Sequence, residues 1–335
     1  MSDVKCEKKG MKIPTYIPKK AHELPMFFEN KPYQGASGRV YPIPYCDGIS
    51  DEKTDVEYET YTLENEYVKT QVVPSLGGKI LRGFDKIGNY DFIYYNEVVK
   101  PALVGLAGPW ISGGIEFNWP QHHRPTTFMP LEAVSEDNAD GGKTVWTGEV
   151  EPFGRMKGMA GITVDKGRSY IKAKVRVYNR TAYPQVFMWW ANLAVPVNNA
   201  YRTVFPPDCE WVNDHDRRAV LEWPIAKGLY KTARPYNFGK GTDLSHYDAV
   251  KVPSSYLISQ GQSDMDFISG YDTGINKGIA TVANHHISPG KKMWHWGIGD
   301  FGDMWCSNLT DKNGPYIELM TGVYTDNQPD FTWIA

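Results

Sequence analysis

The chain has 335 residues, enough for a large core, and a near-balanced charge of 36 basic against 39 acidic side chains, a formal net of −3. With a pI near 6.3 it carries no electrostatic footprint for nucleic acid or an anionic membrane, so a small neutral ligand is the better expectation. The four cysteines (Cys6, Cys46, Cys209 and Cys306) form neither a disulfide framework nor a metal clip, and no stretch is apolar enough for a signal peptide or a membrane span; reduced thiols and a cytoplasmic location follow as expectations.

Residues 1–37 are rich in Lys and Pro without a sustained period and read as an N-terminal arm ahead of a domain spanning 38–335. Segments 56–63 and 67–73 alternate with period two around Asn65-Glu66, which predicts a hairpin. Gly77-Gly78 breaks the next run before Lys79-Ile80-Leu81-Arg82, and a turn over 85–89 leads into a strand at 90–95. The spacing leaves no room for a crossover helix.

The same grammar predicts strands at 144–150, 161–164, 170–178 and 185–195. In 170–178, Ile171, Ala173, Val175 and Val177 share one face and Lys172, Lys174 and Arg176 the other. Residues 186–195 are nearly continuously apolar, as expected of a strand covered on both faces at the floor of a cleft. Residues 196–250, rich in Asn, Asp, Pro and Tyr, read as long loops with short strands; further strands are predicted at 255–259, 267–271, 277–283, 292–297 and 315–320. With 55 Gly and Pro residues and 13% aromatics, the pattern is that of an all-β protein, one large antiparallel β-sandwich.

Chemistry concentrates in residues 109–125. Gly113 and Gly114 permit positive φ or a close backbone approach, and Pro120 and Pro125 stop any helix, so Glu116, His122, His123 and Arg124 are placed on a shaped loop. That mixture suits a polar ring ligand better than a core. Adjacent histidines diverge on an extended chain and no supporting Cys or His lies at short spacing, so no metal is expected. Dinucleotide- and phosphate-binding glycine patterns are absent from the sequence, and no cofactor is expected.

Residues 63–89, with their Gly77-Gly78 turn and Asp85-Lys86-Ile87-Gly88 turn, resemble the opening strands of the galactose mutarotase-like (aldose 1-epimerase) superfamily. Residues 314–328 look like the strand that carries its catalytic glutamate. Through Gly113-Gly114-Ile115-Glu116-Phe117-Asn118-Trp119-Pro120, Trp189 to Pro196 and Tyr316-Ile317-Glu318-Leu319, the chain more closely resembles an uncharacterised bacterial branch often fused to tetratricopeptide repeats. The resemblance runs from about residue 38 to 335. It implies a β-supersandwich whose concave face holds a mono- or oligosaccharide, and a C-terminal helical-repeat region absent from this chain, whose own domain is read as truncated at the C-terminus.

In the epimerases one Glu is the general base on the anomeric hydroxyl and a His protonates the ring oxygen. Glu318 matches the base by position. The two histidine positions are occupied instead by Ser112, in Ile111-Ser112-Gly113-Gly114, and by the run Trp189-Trp190-Ala191-Asn192. Plain mutarotation is therefore disfavoured, with His122 or His123 left to supply an imidazole from another direction.

Glu318 between Ile317 and Leu319, and Glu116 between Ile115 and Phe117, each point away from their apolar neighbours on an extended strand. Two carboxyls on one concave face, one protonated and one ionised, are the minimal apparatus of glycosidic bond cleavage. The catalytic candidates are thus Glu318, Glu116, His122 and His123. Trp119, Arg124, Trp189, Trp190, Asn192, Trp296, Asp303 and Trp305 are the substrate-binding candidates, because aromatic faces stack on sugars and polar groups bind their hydroxyls. The expected function is carbohydrate binding and glycoside hydrolase-like acid/base processing at an anomeric centre. The alternatives are a non-catalytic sugar-binding module of a larger protein and an aldose 1-epimerase with a relocated acid histidine.

Overall fold

A computed structural model describes residues 3–23, 42–120, 123, 127–214, 219–230, 236–258, 263–323 and 333–334. Its centre is a 12-stranded antiparallel sheet. In chain order the strands are β1 (Lys5–Pro18), β2 (Ile49–Glu64), β3 (Val68–Val73), β4 (Lys79–Asp85), β5 (Tyr90–Ile93), β6 (Ile115–Asn118), β7 (Trp190–Pro196), β8 (Trp211–Asp214), β9 (Val220–Glu222), β10 (Ser254–Ile258), β11 (Gly290–His295) and β12 (Tyr316–Gly322). Spatially they run β1-β2-β3-β4-β6-β7-β12-β11-β10-β8-β9, with β5 paired to β4.

Local chemistry closes the predicted hairpins. The Asn65 side-chain oxygen accepts the backbone N–H groups of Tyr67 and Val68 between β2 and β3 (2.8 and 2.9 Å). Asp85 does the same for Ile87 and Gly88 between β4 and β5 (2.9 and 3.0 Å). Gly113 and Gly114 both adopt positive φ (75° and 66°), and a Cβ on Gly114 would lie 2.2 Å from the Ile80 carbonyl oxygen. Only glycine lets β6 begin this close to β4.

The largest core cluster lies on one face of the large sheet. Leu63, Val72, Ile80, Phe117, Leu193, Ile317 and Leu319 from that face pack in one cluster with Val145, Ile162 and Val164. The latter belong to a four-stranded meander of Glu132–Asp137, Lys143–Val150, Lys157–Val164 and Ile171–Tyr178. Ile268 and Tyr201 bring in a three-stranded sheet, Tyr201–Val204, Phe267–Asp272 and Lys277–Val282. The result is the expected all-β sandwich. No helix among the described residues is long and apolar enough to cross a membrane.

Several elements differ from the sequence reading. Residues 5–18, read as an arm, form β1, which pairs with β2 from Lys5↔Glu64 to Pro18↔Ile49. The 185–195 strand is two: Val186–Phe187 pairs with Trp333–Ile334, and β7 starts afresh at Trp190. The apolar face of Ile171–Tyr178 is less covered than its alternation suggests, with Val175 37% exposed, because this is the edge strand of the meander. Finally, residues 300–309 form a helix, α1 (Asp300–Leu309), with Asp300 and Asp303 in its first turn, where carboxylates suit the helix dipole. Gly302 lets this helix sit against the chain entering it; a Cβ there would lie 1.8 Å from the Gly297 carbonyl oxygen.

Candidate functional site

Strand alternation assigns the other face of the sheet. Register places Glu116 opposite Asn192, Asn192 opposite Met320, and Met320 opposite Lys292. Because Ile80 pairs with Ile115, Lys79 flanks Glu116 at the near end of this row. The next row holds Ala194, Glu318 and Trp294, and a row on the other side holds Asn118, Trp190 and Gly322. Residues of the opposite parity, Phe117, Leu193, Ile317 and Leu319, are those already in the core. Glu116 and Glu318 therefore share one face, two strands and two residues apart, which puts their Cα atoms roughly 12 Å from one another.

Both carboxyls are buried, Glu116 at 4% and Glu318 at 6% exposure. Their surroundings push them in opposite directions. Burial, reinforced by the charge of Glu116, raises Glu318 to about 8 against the opposing pull of Lys292 and Lys79. Burial also pushes Glu116 up, but the His123 imidazole, the Lys79 ammonium and the Trp110 indole N–H together bring it below its ordinary value. His123 Nδ1 stands 3.7 Å from Glu116 Oε1, an ion-pair rather than a hydrogen-bond distance. The Thr127 hydroxyl donates to the same oxygen at 3.4 Å. Lys79 donates to the Gly113 carbonyl at 2.5 Å, and its burial lowers its own pKa against the attraction of both carboxylates. At neutral pH the face thus holds one ionised and one protonated carboxyl.

Around them is a concentration of buried polar atoms that find no hydrogen-bond partner among the described residues. They are Glu116 Oε2, Asn118 Oδ1, Asn192 Oδ1, the indole Nε1 atoms of Trp190 and Trp296, and the Tyr316 hydroxyl. Such atoms cost about 1–3 kcal/mol each when left unpaired, and here they share a face with both carboxyls. Trp190 lies flat across Gly322, where a Cβ would meet its Cδ2 at 2.3 Å. Trp296 stacks on Trp305 (centroids 5.3 Å, 25° between planes) and packs edge-on against Tyr316 (6.1 Å).

The sequence candidates divide accordingly. Glu116, Glu318, His123, Asn192, Trp190, Trp296 and Trp305 come together on or beside this face. Trp119 and Trp189 do not: they belong to the core cluster, Trp119 packed on the bare backbone of Gly158 and Trp189 stacked on Phe117 at 5.3 Å. Asp303 is exposed in the first turn of α1. His122 and Arg124 lie outside the described residues. His295, near the tryptophans in sequence, faces the core side; its Nδ1 accepts the Gly297 N–H (2.7 Å) and its Nε2 donates to the Tyr247 carbonyl (2.9 Å), with burial holding it neutral near a pKa of about 4.

Sequence reasoning passed over Lys79, Trp110, Asn118, Lys292 and Tyr316 as site residues. Asn118 and Tyr316 had a usable signal, each two positions from a candidate glutamate on the same strand. Lys79 and Lys292 had none, since a lysine at an alternating position reads as solvent-facing. Among the described residues no cluster of His, Cys, Asp and Glu is arranged to hold a metal ion.

Solved structures share this architecture. The chain is 22% identical to a TPR-domain containing protein from Parabacteroides distasonis, with a TM-score of 0.82 over 99% of this chain; it spans 53%, about half, of that protein. A galactose mutarotase-like protein from Lactobacillus casei is 11% identical (TM-score 0.51, covering 80% of this chain and 89% of that one). One from Clostridium acetobutylicum is 9% identical (TM-score 0.54, covering 82% and 87%). These likenesses establish the galactose mutarotase-like fold. A family profile, described as a domain of unknown function (DUF5107), matches residues 36–332, and the chain belongs to that family.

Proposed function

We propose that the face carrying Glu116 and Glu318 binds a saccharide and processes it at its anomeric centre by acid/base chemistry. The observation that carries this reading is the division of two buried carboxyls on one face into a proton donor, Glu318, and a proton acceptor, Glu116. Glu318 would protonate the departing glycosidic oxygen while Glu116 takes up the complementary role, activating water or attacking the anomeric carbon. Orphaned indole, amide and hydroxyl groups around the pair suit the hydroxyls of a sugar, and the fold is one shared with galactose mutarotase-like proteins.

The division also bears on the epimerase reading. There the position of Glu318 supplies the general base, a role ill-suited to a carboxyl held protonated near neutral pH. His123 beside Glu116 assists the base rather than providing a separate acid.

The test is a screen of chromogenic glycosides and defined oligosaccharides with the wild type, Glu318→Gln and Glu116→Gln, with polarimetry on free aldoses in parallel. Each variant is expected to keep its ligand while turnover falls by about 10²–10⁴. Saccharide binding with no turnover in the wild type would replace this reading with that of a binding module. Accelerated aldose mutarotation without glycoside cleavage would replace it with that of an epimerase.

A further inference from the structure

Backbone phase marks one side of the four-stranded meander as open. The Asn138 N–H bonds to the Gly142 carbonyl and the Glu151 N–H to the Met156 carbonyl (2.9 and 3.0 Å), each continuing the register of its hairpin. In an antiparallel ladder, residues bonded to one neighbour alternate with residues whose backbone groups turn the other way. Carried across Lys157–Val164 without a register shift, that alternation makes Lys172, Lys174, Arg176 and Tyr178 the bonded residues of the last strand, Ile171–Tyr178. Ile171, Ala173, Val175 and Val177 turn their N–H and C=O groups outward, and none of these groups has a partner among the described residues.

The side chains of this strand alternate in the same step. Ile171 and Val177 pack partly against the core, leaving Ala173 and the 37% exposed Val175 between them at its margin. Lys172, Lys174 and Arg176 lie on the opposite face, where Lys172 pairs with Asp165 at 2.8 Å. Arg176 lies 5.1 Å over the Trp146 ring, and neither it nor Lys174 has an ion-pair partner among the described residues. The edge thus carries a net positive row on one face and uncovered apolar surface on the other.

A second copy of the same strand does not fit. Paired antiparallel to itself so that all four outward residues are bonded, it would set Lys172 against Arg176 and Lys174 against Lys174, like charges in direct cross-strand contact. The pattern that rejects a copy accepts the opposite charges. We propose that this edge receives an extended segment of a partner protein in which acidic residues alternate with apolar ones, bound as a fifth strand of the meander. Directly opposed residues put their side chains on the same face, so the segment's apolar residues make the main-chain bonds to Ile171, Ala173, Val175 and Val177 and cover the core margin. Its acidic residues fall opposite Lys172, Lys174 and Arg176. Main-chain bonds supply the affinity, and the charged row selects the partner.

Fluorescence anisotropy on the intact chain tests it, with labelled peptides of about eight residues: alternating Glu-Val, alternating Lys-Val, and a block of Glu followed by a block of Val. Two further Glu-Val peptides are N-methylated, one at every Val and one at every Glu. The alternating Glu-Val peptide is expected to bind at least about tenfold more tightly than the Lys-Val, block and Val-methylated peptides, and the Glu-methylated peptide to match it. Lys174→Glu should weaken that binding several-fold. Val175→Pro deletes one outward N–H and leaves the ladder to Lys157–Val164 in place, so it should weaken binding as well. The methylated pair serves alone if that variant does not fold. Absence of Glu-Val binding overturns the proposal, as does equal binding of the two methylated peptides, which would reduce it to charge attraction. Concentration-dependent self-association in sedimentation that Val175→Pro abolishes would assign the edge to the acidic strand Glu132–Asp137 of another copy, and overturns it too.

Discussion

Replacing Glu318 with Gln should remove a specific dependence of stability on pH. The amide is isosteric with the protonated carboxyl, so the fold is perturbed little where Glu318 is already neutral. Below about 4.5 the carboxyl is protonated in the folded and unfolded chain alike, and the wild type bears no cost. Between there and about 8 the unfolded chain gives up the proton while the folded chain keeps it, so stability falls as pH rises; above about 8 the loss is complete. At about 1.4 kcal/mol per pH unit, the wild type should lose on the order of 4 kcal/mol relative to Glu318→Gln between pH 5 and pH 9. Urea unfolding followed by tryptophan fluorescence at several pH values measures the difference directly. Titrating groups remote from Glu318 are common to both proteins and cancel. Glu116, whose pKa is lowered, contributes stability that is lost only as pH falls below about 4.5, outside this window. A difference between the two proteins that stays flat from pH 5 to pH 9, or rises, would refute the claim that burial holds Glu318 protonated.

Two further substitutions probe the same face. Lys79→Met removes a cation that lowers both carboxyls, so both limbs of the pH–rate profile of the proposed reaction should move to higher pH; an unchanged profile would mean that Lys79 serves only the Gly113 carbonyl. Gly322→Ala places a Cβ where the Trp190 indole lies. It should cost about 1–3 kcal/mol in urea titrations and weaken saccharide binding, whereas an unperturbed protein would show that the indole has room to shift.

What the sequence made legible is what depends on neighbours along the chain. Period-two alternation and turn residues located most strands of the large sheet, and the Ile-Glu-Phe and Ile-Glu-Leu triplets rightly set Glu116 and Glu318 apart from the core. What stayed hidden depends on partners distant in sequence. Trp189 and Trp190 are equivalent as letters; register with β6 and β12 sends one to the core and the other to the polar face. Lys79 and Lys292 become buried only because five strands meet side by side. The helix at 300–309 depends on Gly302 docking against Gly297 rather than on a strong local pattern. β1 escaped notice because its pairing partner begins some thirty residues beyond its end and its own residues are mostly polar.

That first strand has a practical corollary. The family match begins at residue 36, whereas the likeness to the Parabacteroides distasonis protein extends over 99% of the chain and so takes β1 in. A fragment trimmed to the matched range would leave β2, 16 residues long, with a free row of backbone donors and acceptors along its outer side. Such an edge invites intermolecular strand addition. Sequence similarity and hydrogen bonding therefore set different boundaries here, and for preparing soluble material the hydrogen bonds are the ones to respect.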